Sequence, residues 1–300
     1  MAIIKRIKQL LSVTRGYLFK WRYDIIGFDK LPNLHLSDNT PQLIVSLTSY
    51  GRRVTNVVPY TLVSLLKQSR LPNRIVLWLD QESWSPDSLP QKIKFLVNHG
   101  VEVRFCKDVR SYTKLLPALQ AFPDDIIITV DDDIIYNANI IESLYKAHLD
   151  NPTKICAQKA RYPSVDSEGN VRPYDNWHTP PSTYYWLMPL GVYGVLYPPH
   201  CLHPDVCKEK LFRELCPLAD DIWFWIMALR HGTGHIEINP NRSVGYSFDD
   251  LYQFLHKGSN LTFTNRKRGY NDKQLKNVCQ YFKFNIKSVP PIKSHRRYIE

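Results

Sequence analysis

The sequence has no glycine-rich phosphate loop. Only 12 of its 300 residues are glycine, and the loop after the first expected strand, Thr48 to Arg53, holds one of them, Gly51. A backbone cradle for phosphates needs more. The GxSxG pattern of a strained nucleophilic serine is absent as well. The six cysteines, at 106, 156, 201, 207, 216 and 279, form no CxxC pair and no zinc-ligand spacing. Free thiols in a reducing compartment are the expectation. No apolar run is long enough to span a bilayer or to act as the apolar core of a signal peptide. Internal repeats and low-complexity tracts are also missing, which excludes solenoid and compositionally biased architectures.

What remains is a globular chain with a cationic surplus. Hydrophobic residues make up 44% of it, enough for a sizeable core. Lysine and arginine number 39 against 28 acids, a formal net charge of +11. That balance favours an anionic partner such as nucleotide phosphate, anionic lipid or nucleic acid.

The informative stretch is Asp125 to Tyr136, Asp-Ile-Ile-Ile-Thr-Val-Asp-Asp-Asp-Ile-Ile-Tyr. Ile126, Ile127, Ile128 and Val130 predict a strand buried on both faces, as in a parallel sheet. Asp131, Asp132 and Asp133 follow at once, at the sheet edge where open α/β sheets bind ligands. Three adjacent carboxylates repel one another, and a hard divalent cation relieves that repulsion. In an extended chain Asp131 and Asp133 share a face while Asp132 turns away. A solvated acidic turn is the plainer alternative.

Around this stretch, strands and helices alternate. Residues 28–41 form a linker. Strands are expected at Leu43–Leu47, Arg74–Leu79 and Val101–Phe105, with a polar loop through Arg53 and Asp80 ending the second strand. Helices are expected at Val57–Gln68, Leu89–Asn98, Lys114–Phe122 (short or kinked by Pro117) and Ala138–Leu149. This order predicts a mostly parallel sheet with right-handed crossovers. Ahead of it, Met1 to Gly27 is basic and amphipathic, with Ile3, Ile4, Ile7, Leu10, Leu11 and Leu18 near helical spacing. A helix lying in an anionic membrane interface fits this composition, as does a helix packed on the domain.

The second half is less regular. A strand is expected at Ile155–Arg161, then a long aromatic, proline-rich segment from Tyr162 to Pro189, suited to a sugar ring or to an aromatic mini-core. Leu218 to Leu229 predicts a buried helix, with Asp220 as its cap, Asp221 as its first residue and Gly232 as its end. An acidic pair there serves either as cap and dipole partner or as a general base aimed into a cleft. A further helix is expected at Asn271–Phe282, followed by a basic tail.

Taken together, these residues resemble a GT-A fold glycosyltransferase of the bacterial capsule or lipopolysaccharide type. Five features carry the resemblance: Leu-Ile-Val-Ser-Leu-Thr-Ser-Tyr-Gly-Arg-Arg from 43, Ile-Val-Leu-Trp-Leu-Asp ending at 80, Ser-Tyr-Thr-Lys-Leu-Leu-Pro-Ala-Leu from 111, the acidic triplet as the family's Asp-any-Asp motif, and Ala-Asp-Asp-Ile-Trp-Phe-Trp from 219. The resemblance spans 42–260, which it divides into a nucleotide-sugar half, 42–150, and an acceptor half, 151–260. Residues 1–27 stand outside it as the basic N-terminal segment and 261–300 as a basic C-terminal helix and tail.

The resemblance implies an α/β Rossmann-like fold, a nucleotide-sugar donor (UDP-hexose foremost), Mn2+ or Mg2+, and hexosyl transfer to a hydroxyl of a glycan or lipid-linked glycan. Ser46, Thr48 and Asp80 would lie near the nucleoside, Arg52 or Arg53 at phosphate, and Lys114 near the ribose or diphosphate. Asp131 would contact the nucleotide and Asp133 the metal. Three acids leave that register open by one residue, so Asp131 also stands as a metal ligand and Asp132 as a nucleotide contact. His256 is the candidate late metal ligand. Asp221, or Asp220, is the candidate base. The implied location is the cytoplasm, on the inner face of the cytoplasmic membrane, with no nucleic-acid partner. A nucleotidyltransferase or a non-catalytic binder of nucleic acid or membrane is the alternative. The single glycine of the first loop counts against the former, and acids at strand ends count against the latter.

Overall fold

Short β-branched runs become the strands, and the aspartates that end them mark one edge of a sheet. The computed structural model describes residues 2–28, 31–34, 40–164, 166–168, 171–177, 187–239, 243–247 and 269–285, with backbone alone for 2–10. The chain divides into two units, one of Met1–Ser143 with Asn241–Lys257 and one of Leu144–Pro240 with Gly258–Glu300.

In the first unit α1 (Ala2–Ile26) precedes β1 (Leu43–Thr48), α2 (Arg52–Asn56), α3 (Val58–Leu66) and β2 (Arg74–Asp80). Next come α4 (Gln91–Asn98), β3 (Val101–Cys106), a 3-10 turn at Arg110–Lys114, α5 (Leu116–Ala121), β4 (Ile126–Thr129) and β5 (Ile134–Tyr136). Strands β3, β2, β1 and β4 lie side by side in that order, and all three pairings are parallel. Register sets Ser46 opposite both Val76 and Thr129, so β1, β2 and β4 end at a common carboxyl edge. The central strands are buried on both faces, as all four residues of β4 show, and all nine residues of α3 are buried, whereas β3 carries Glu102 and Arg104 and is mostly half-buried. Pro59 and Pro117 sit in first turns, where no amide hydrogen is needed.

Two local features differ from expectation. Arg52 and Arg53 lie on α2 rather than in a loop, because Gly51 turns at φ +51 and the Arg53 and Val54 amides donate to the Tyr50 and Gly51 carbonyls. Strand β5 was not foreseen. Its three residues are too short for periodicity to register. It pairs antiparallel with a strand far along the chain, Gly245–Ser247.

α6 (Ile140–Asp150) carries the chain onward. The second unit contains β6 (Ile155–Ala157), β7 (Ala160–Arg161), β8 (Met188–Pro189), β9 (Val195–Tyr197), α7 (Glu209–Leu215), α8 (Asp220–His231) and β10 (His235–Glu237). The Gly245–Ser247 strand of the first unit is β11, and α9 is Tyr270–Tyr281. The order β10, β6, β9 joins a parallel pair to an antiparallel one. The strand expected over 155–161 is thus broken into β6 and β7, the latter paired with β8. Ile222 to Leu229 of α8 are buried all round, and Gly232 ends the helix in the left-handed region at φ +85. Trp177 packs edge-on against Trp225 with ring centres 5.9 Å apart. Arg230 lies 3.7 Å over the Phe282 ring beyond α9.

Gly245 is the point where β11 admits no side chain. A Cβ there would collide with the Ile135 carbonyl and would stand 2.9 Å from Ile134 Cγ2. Gly245→Ala is therefore expected to cost about 1–3 kcal/mol of stability, the usual price of overpacking. Chemical denaturation measures it; an unchanged midpoint would show that the ribbon yields freely.

Candidate functional site

The acidic triplet leaves the sheet at its carboxyl edge and is clamped on both sides. The Val130 amide donates to the Ser46 carbonyl at 3.2 Å, the last bond before the chain departs. The Asp131 amide donates to the Tyr136 hydroxyl at 2.9 Å, and the Thr61 hydroxyl donates to the Asp132 carbonyl at 2.7 Å. β5 and α3 therefore hold the turn's backbone.

The three carboxylates differ. Asp132 points inward, with 6% of its side chain exposed, and accepts from Ser49 Oγ at 2.6 Å and Arg53 Nη1 at 2.7 Å. Burial pushes its pKa up, while Arg53 and Ser49 pull it back. Asp133 is 14% exposed and meets Arg53 Nη2 at 3.0 Å. Asp131 is 32% exposed and meets Lys114 Nζ at 3.1 Å. Arg53 thus spans two acids, with its guanidinium 5.5 Å from the Tyr50 ring. Burial first, and Asp131 second, raise the Tyr136 phenol, which stays neutral.

Among the described residues no three His, Cys, Asp or Glu side chains gather as a metal cage. Asp131 and Asp133 nevertheless offer two partly open hard oxygen donors. Mg2+ is commonly held by one or two carboxylates, with phosphate oxygens and water supplying the rest. This donor set fits such a cation.

The other expected residues fall into two groups. Ser46 has no exposed surface; its hydroxyl donates to the Lys114 carbonyl at 2.6 Å and accepts from Trp78 Nε1 at 2.9 Å. It braces the Lys114 turn instead of facing a ligand. Thr48 donates to the Trp78 carbonyl at 3.0 Å, bonding β1 to β2. Asp80, at the end of β2, accepts from Ser83 Oγ at 2.6 Å and the Glu82 amide at 3.1 Å, and these bonds hold its carboxyl below the usual range. Arg52 is half-buried on α2. His256 lies outside the described residues. Sequence reasoning missed Ser49, Thr61 and Tyr136. Ser49 and Tyr136 lie inside the very stretches that drew attention, but no pattern marks a hydroxyl that serves a neighbouring carboxylate.

In the second unit the acidic pair opens α8, with one correction. The N-cap is Ala219, which has no side chain to cap with, and Asp220 is already helical. The Ala219 carbonyl receives the Ile222 and Trp223 amides, so the helix starts one residue early. Asp220 is consequently buried in the first turn. Both Asp221 oxygens accept from the Gly191 amide, at 3.2 Å each. Asp221 also lines a narrow crevice with Ile155, Pro189, Tyr197, Phe224, Trp225 and His235. Burial drops the His235 pKa to about 3, so its ring is neutral. Neither of its nitrogens, nor Trp225 Nε1, has a hydrogen-bond partner among the described residues.

A family model described as Glycosyl transferase family 2 matches residues 45–213. No curated protein matches the chain. Among solved structures, CMP:2-keto-3-deoxy-manno-octonic acid synthetase complexed with CTP is 10% identical, with 71% of this chain and 96% of that one covered and a TM-score of 0.44. S. aureus TarS 1-349 is 15% identical, with 82% and 73% covered and a TM-score of 0.43. Glucosyl-3-phosphoglycerate synthase from Mycobacterium tuberculosis, with Mg2+ and UDP, is 16% identical, with 39% and 43% covered and a TM-score of 0.30. The family match carries the assignment; these structural likenesses do not.

Arg53 is the cation that lets Asp132 be buried. Removing one partner of a buried ion pair strands the other, so Arg53→Ala is expected to lower stability by about 3 kcal/mol. Arg53→Lys should recover only part of this, since an ammonium cannot span two carboxylates as the planar fork does. Denaturation of both variants is the measurement, and wild-type stability of Arg53→Ala would remove Arg53 from this role.

Proposed function

The chain belongs to glycosyl transferase family 2, and from that premise we propose that it moves a hexose from a UDP-sugar to a hydroxyl of a glycan or lipid-linked glycan acceptor in bacterial surface polysaccharide synthesis. The observation that carries the reading is the acidic triplet at the carboxyl edge of a parallel sheet, with Arg53 and Lys114 already paired to it. The donor half is assigned to 42–150 and the acceptor half to 151–260, with 261–300 as a basic helix and tail. A cytoplasmic enzyme, peripheral on the inner membrane face, is the location we favour. The six cysteines are free thiols, and no helix among the described residues is long and apolar enough to cross a membrane.

The chemistry asks little covalent work of the protein. Charge grows on the departing nucleoside diphosphate as the glycosidic bond breaks. Asp133, with Asp131, would hold Mg2+ or Mn2+, which when bound neutralises that charge without proton transfer. Arg53 and Lys114 add positive charge at the same edge. Asp80 and Thr48 end the strands on which the nucleoside would rest. Asp221 takes the acceptor proton. Both its oxygens accept from the Gly191 amide, which holds the carboxylate at the head of α8.

A screen of UDP-, GDP- and TDP-sugars with Mn2+ tests the reading by its product. Free nucleoside diphosphate is expected; nucleotide-sugars left intact, with pyrophosphate released instead from a nucleoside triphosphate supplied with a sugar or sugar phosphate, would mark a nucleotidyltransferase. Asp133→Asn should abolish transfer while leaving the melting temperature close to wild type, because the residue sits beyond the strand end. Full turnover of that variant in EDTA would dispose of the metal-dependent mechanism.

The base has its own signature. Asp221→Asn should lower turnover by roughly 100-fold or more with donor affinity retained, the usual scale of general-base help. Asp220→Asn should act mainly on stability, since Asp220 is buried in the helix. Donor titration and turnover of both variants decide between them. A dead Asp220→Asn beside a normal Asp221→Asn reverses the roles, and two active variants place the base elsewhere.

A further inference from the structure

Helix α1 has an outward face that no described residue of its own unit covers. Gly16 and Tyr23 are buried. Leu11, Tyr17, Leu18, Trp21, Ile25 and Ile26 are exposed, by 43% to 63%, and account for six of the twelve exposed large hydrophobics among the described residues. At about 100° per residue, Leu11, Leu18, Trp21 and Ile25 fall in one stripe about 80° wide. Exposed Arg15 and Arg22 run along one edge of it. So concentrated an apolar face marks an interaction surface.

The helix is fixed with this stripe outward. Its inner side packs on α3 and β11. Asp24, its one acidic residue, binds Lys20, Lys92 and the Tyr60 hydroxyl, and both lysines sit 4.9 Å from the Tyr60 ring centre. Lys67 donates to the Tyr23 hydroxyl at 2.9 Å. The acid is therefore spent on anchoring the helix, and the bases of the outer side are left to act outward.

We propose that this face docks on an anionic lipid surface, with α1 lying in the plane of the bilayer interface. The proposal deepens the peripheral location favoured above and does not depend on the sugar chemistry. Charge selects the occupant. α1 carries six bases, Lys5, Arg6, Lys8, Arg15, Lys20 and Arg22, against one acid. A second copy would present the same excess of six bases over one acid and so offers no complementary charge. Anionic headgroups meet Arg15 and Arg22, acyl chains meet Leu11, Leu18 and Ile25, and the Trp21 and Tyr17 rings suit the boundary between them.

Flotation of the full chain with vesicles of phosphatidylcholine alone, or mixed with phosphatidylglycerol, tests this. Binding is expected to be about 10-fold or more stronger on the anionic vesicles and to weaken with salt. The double variant Leu18→Glu, Trp21→Glu should lose it by a similar factor while its melting temperature stays near wild type, since both side chains are exposed. Arg15→Glu with Arg22→Glu should lose the preference for anionic lipid. Wild-type binding by the Leu18, Trp21 variant, or no vesicle binding by the native chain, overturns the proposal. So does a dimer in sedimentation that Trp21→Glu dissociates, which would give the stripe to a second copy. Turnover of each variant on a soluble acceptor analogue should be unchanged. A lost membrane contact and a failed transferase reading therefore give different results.

Discussion

A carboxylate taken out of water must find a cation and hydrogen-bond donors, or it will not stay ionised. Asp132 is that carboxylate, and much of the first unit follows from it. Arg53 reaches it only because Gly51 turns the chain and starts α2 directly after β1. Ser49 reaches it from the same loop, and Thr61 of α3 fixes its carbonyl. Once Asp132 is locked inward, Asp131 and Asp133 are left on the outer side of the turn.

The electrostatics of the edge explain how three adjacent acids are tolerated. Arg53 bridges Asp132 and Asp133, and Lys114 pairs with Asp131, so two cations offset three anions. On the proposed reading a diphosphate would use the same cations. A nucleotide with its metal would exchange partners within the cluster rather than create charge compensation anew, which limits the reorganisation that binding demands. Ser46 contributes at one remove. Fully buried and bonded to both the Lys114 carbonyl and Trp78, it fixes the turn from which the lysine projects.

The parallel sheet was legible because Leu43–Leu47, Arg74–Leu79 and the strand into Asp131 are largely apolar runs closed by a polar residue, and two-sided burial leaves an unambiguous pattern. The triplet was legible as an acidic cluster after a buried strand, but the extended-chain alternation used to orient it does not apply, since Asp132 and Asp133 lie in a turn. What escaped depends on contacts distant in sequence. β5 exists through its pairing with β11, and no window of residues near Ile134 contains that partner. The first turn of α8 was misread by one residue, since Asp is a common cap and Ala219 a poor one. There the Ala219 carbonyl, not a side chain, closes the turn. Ser46 was read as a ligand contact from its place in the strand, yet inward or outward facing at a strand end is settled by the neighbours it meets.

The α1 helix and the triplet are mechanically closer than their separation in sequence suggests. β5 begins at the residue after Asp133, β11 pairs along it, and α1 packs on β11. Tyr136 of β5 in turn receives the Asp131 amide. A helix seated on a surface through its outer stripe would therefore define the orientation of the ribbon that carries the acids. The absence of space at Gly245 makes that ribbon stiff, because backbone there meets backbone with no side chain to absorb a shift. Close packing transmits position over such short paths better than loops do. Residues away from the acids, Gly245 and Tyr60 among them, can thus help set the geometry in which Asp131 and Asp133 are presented.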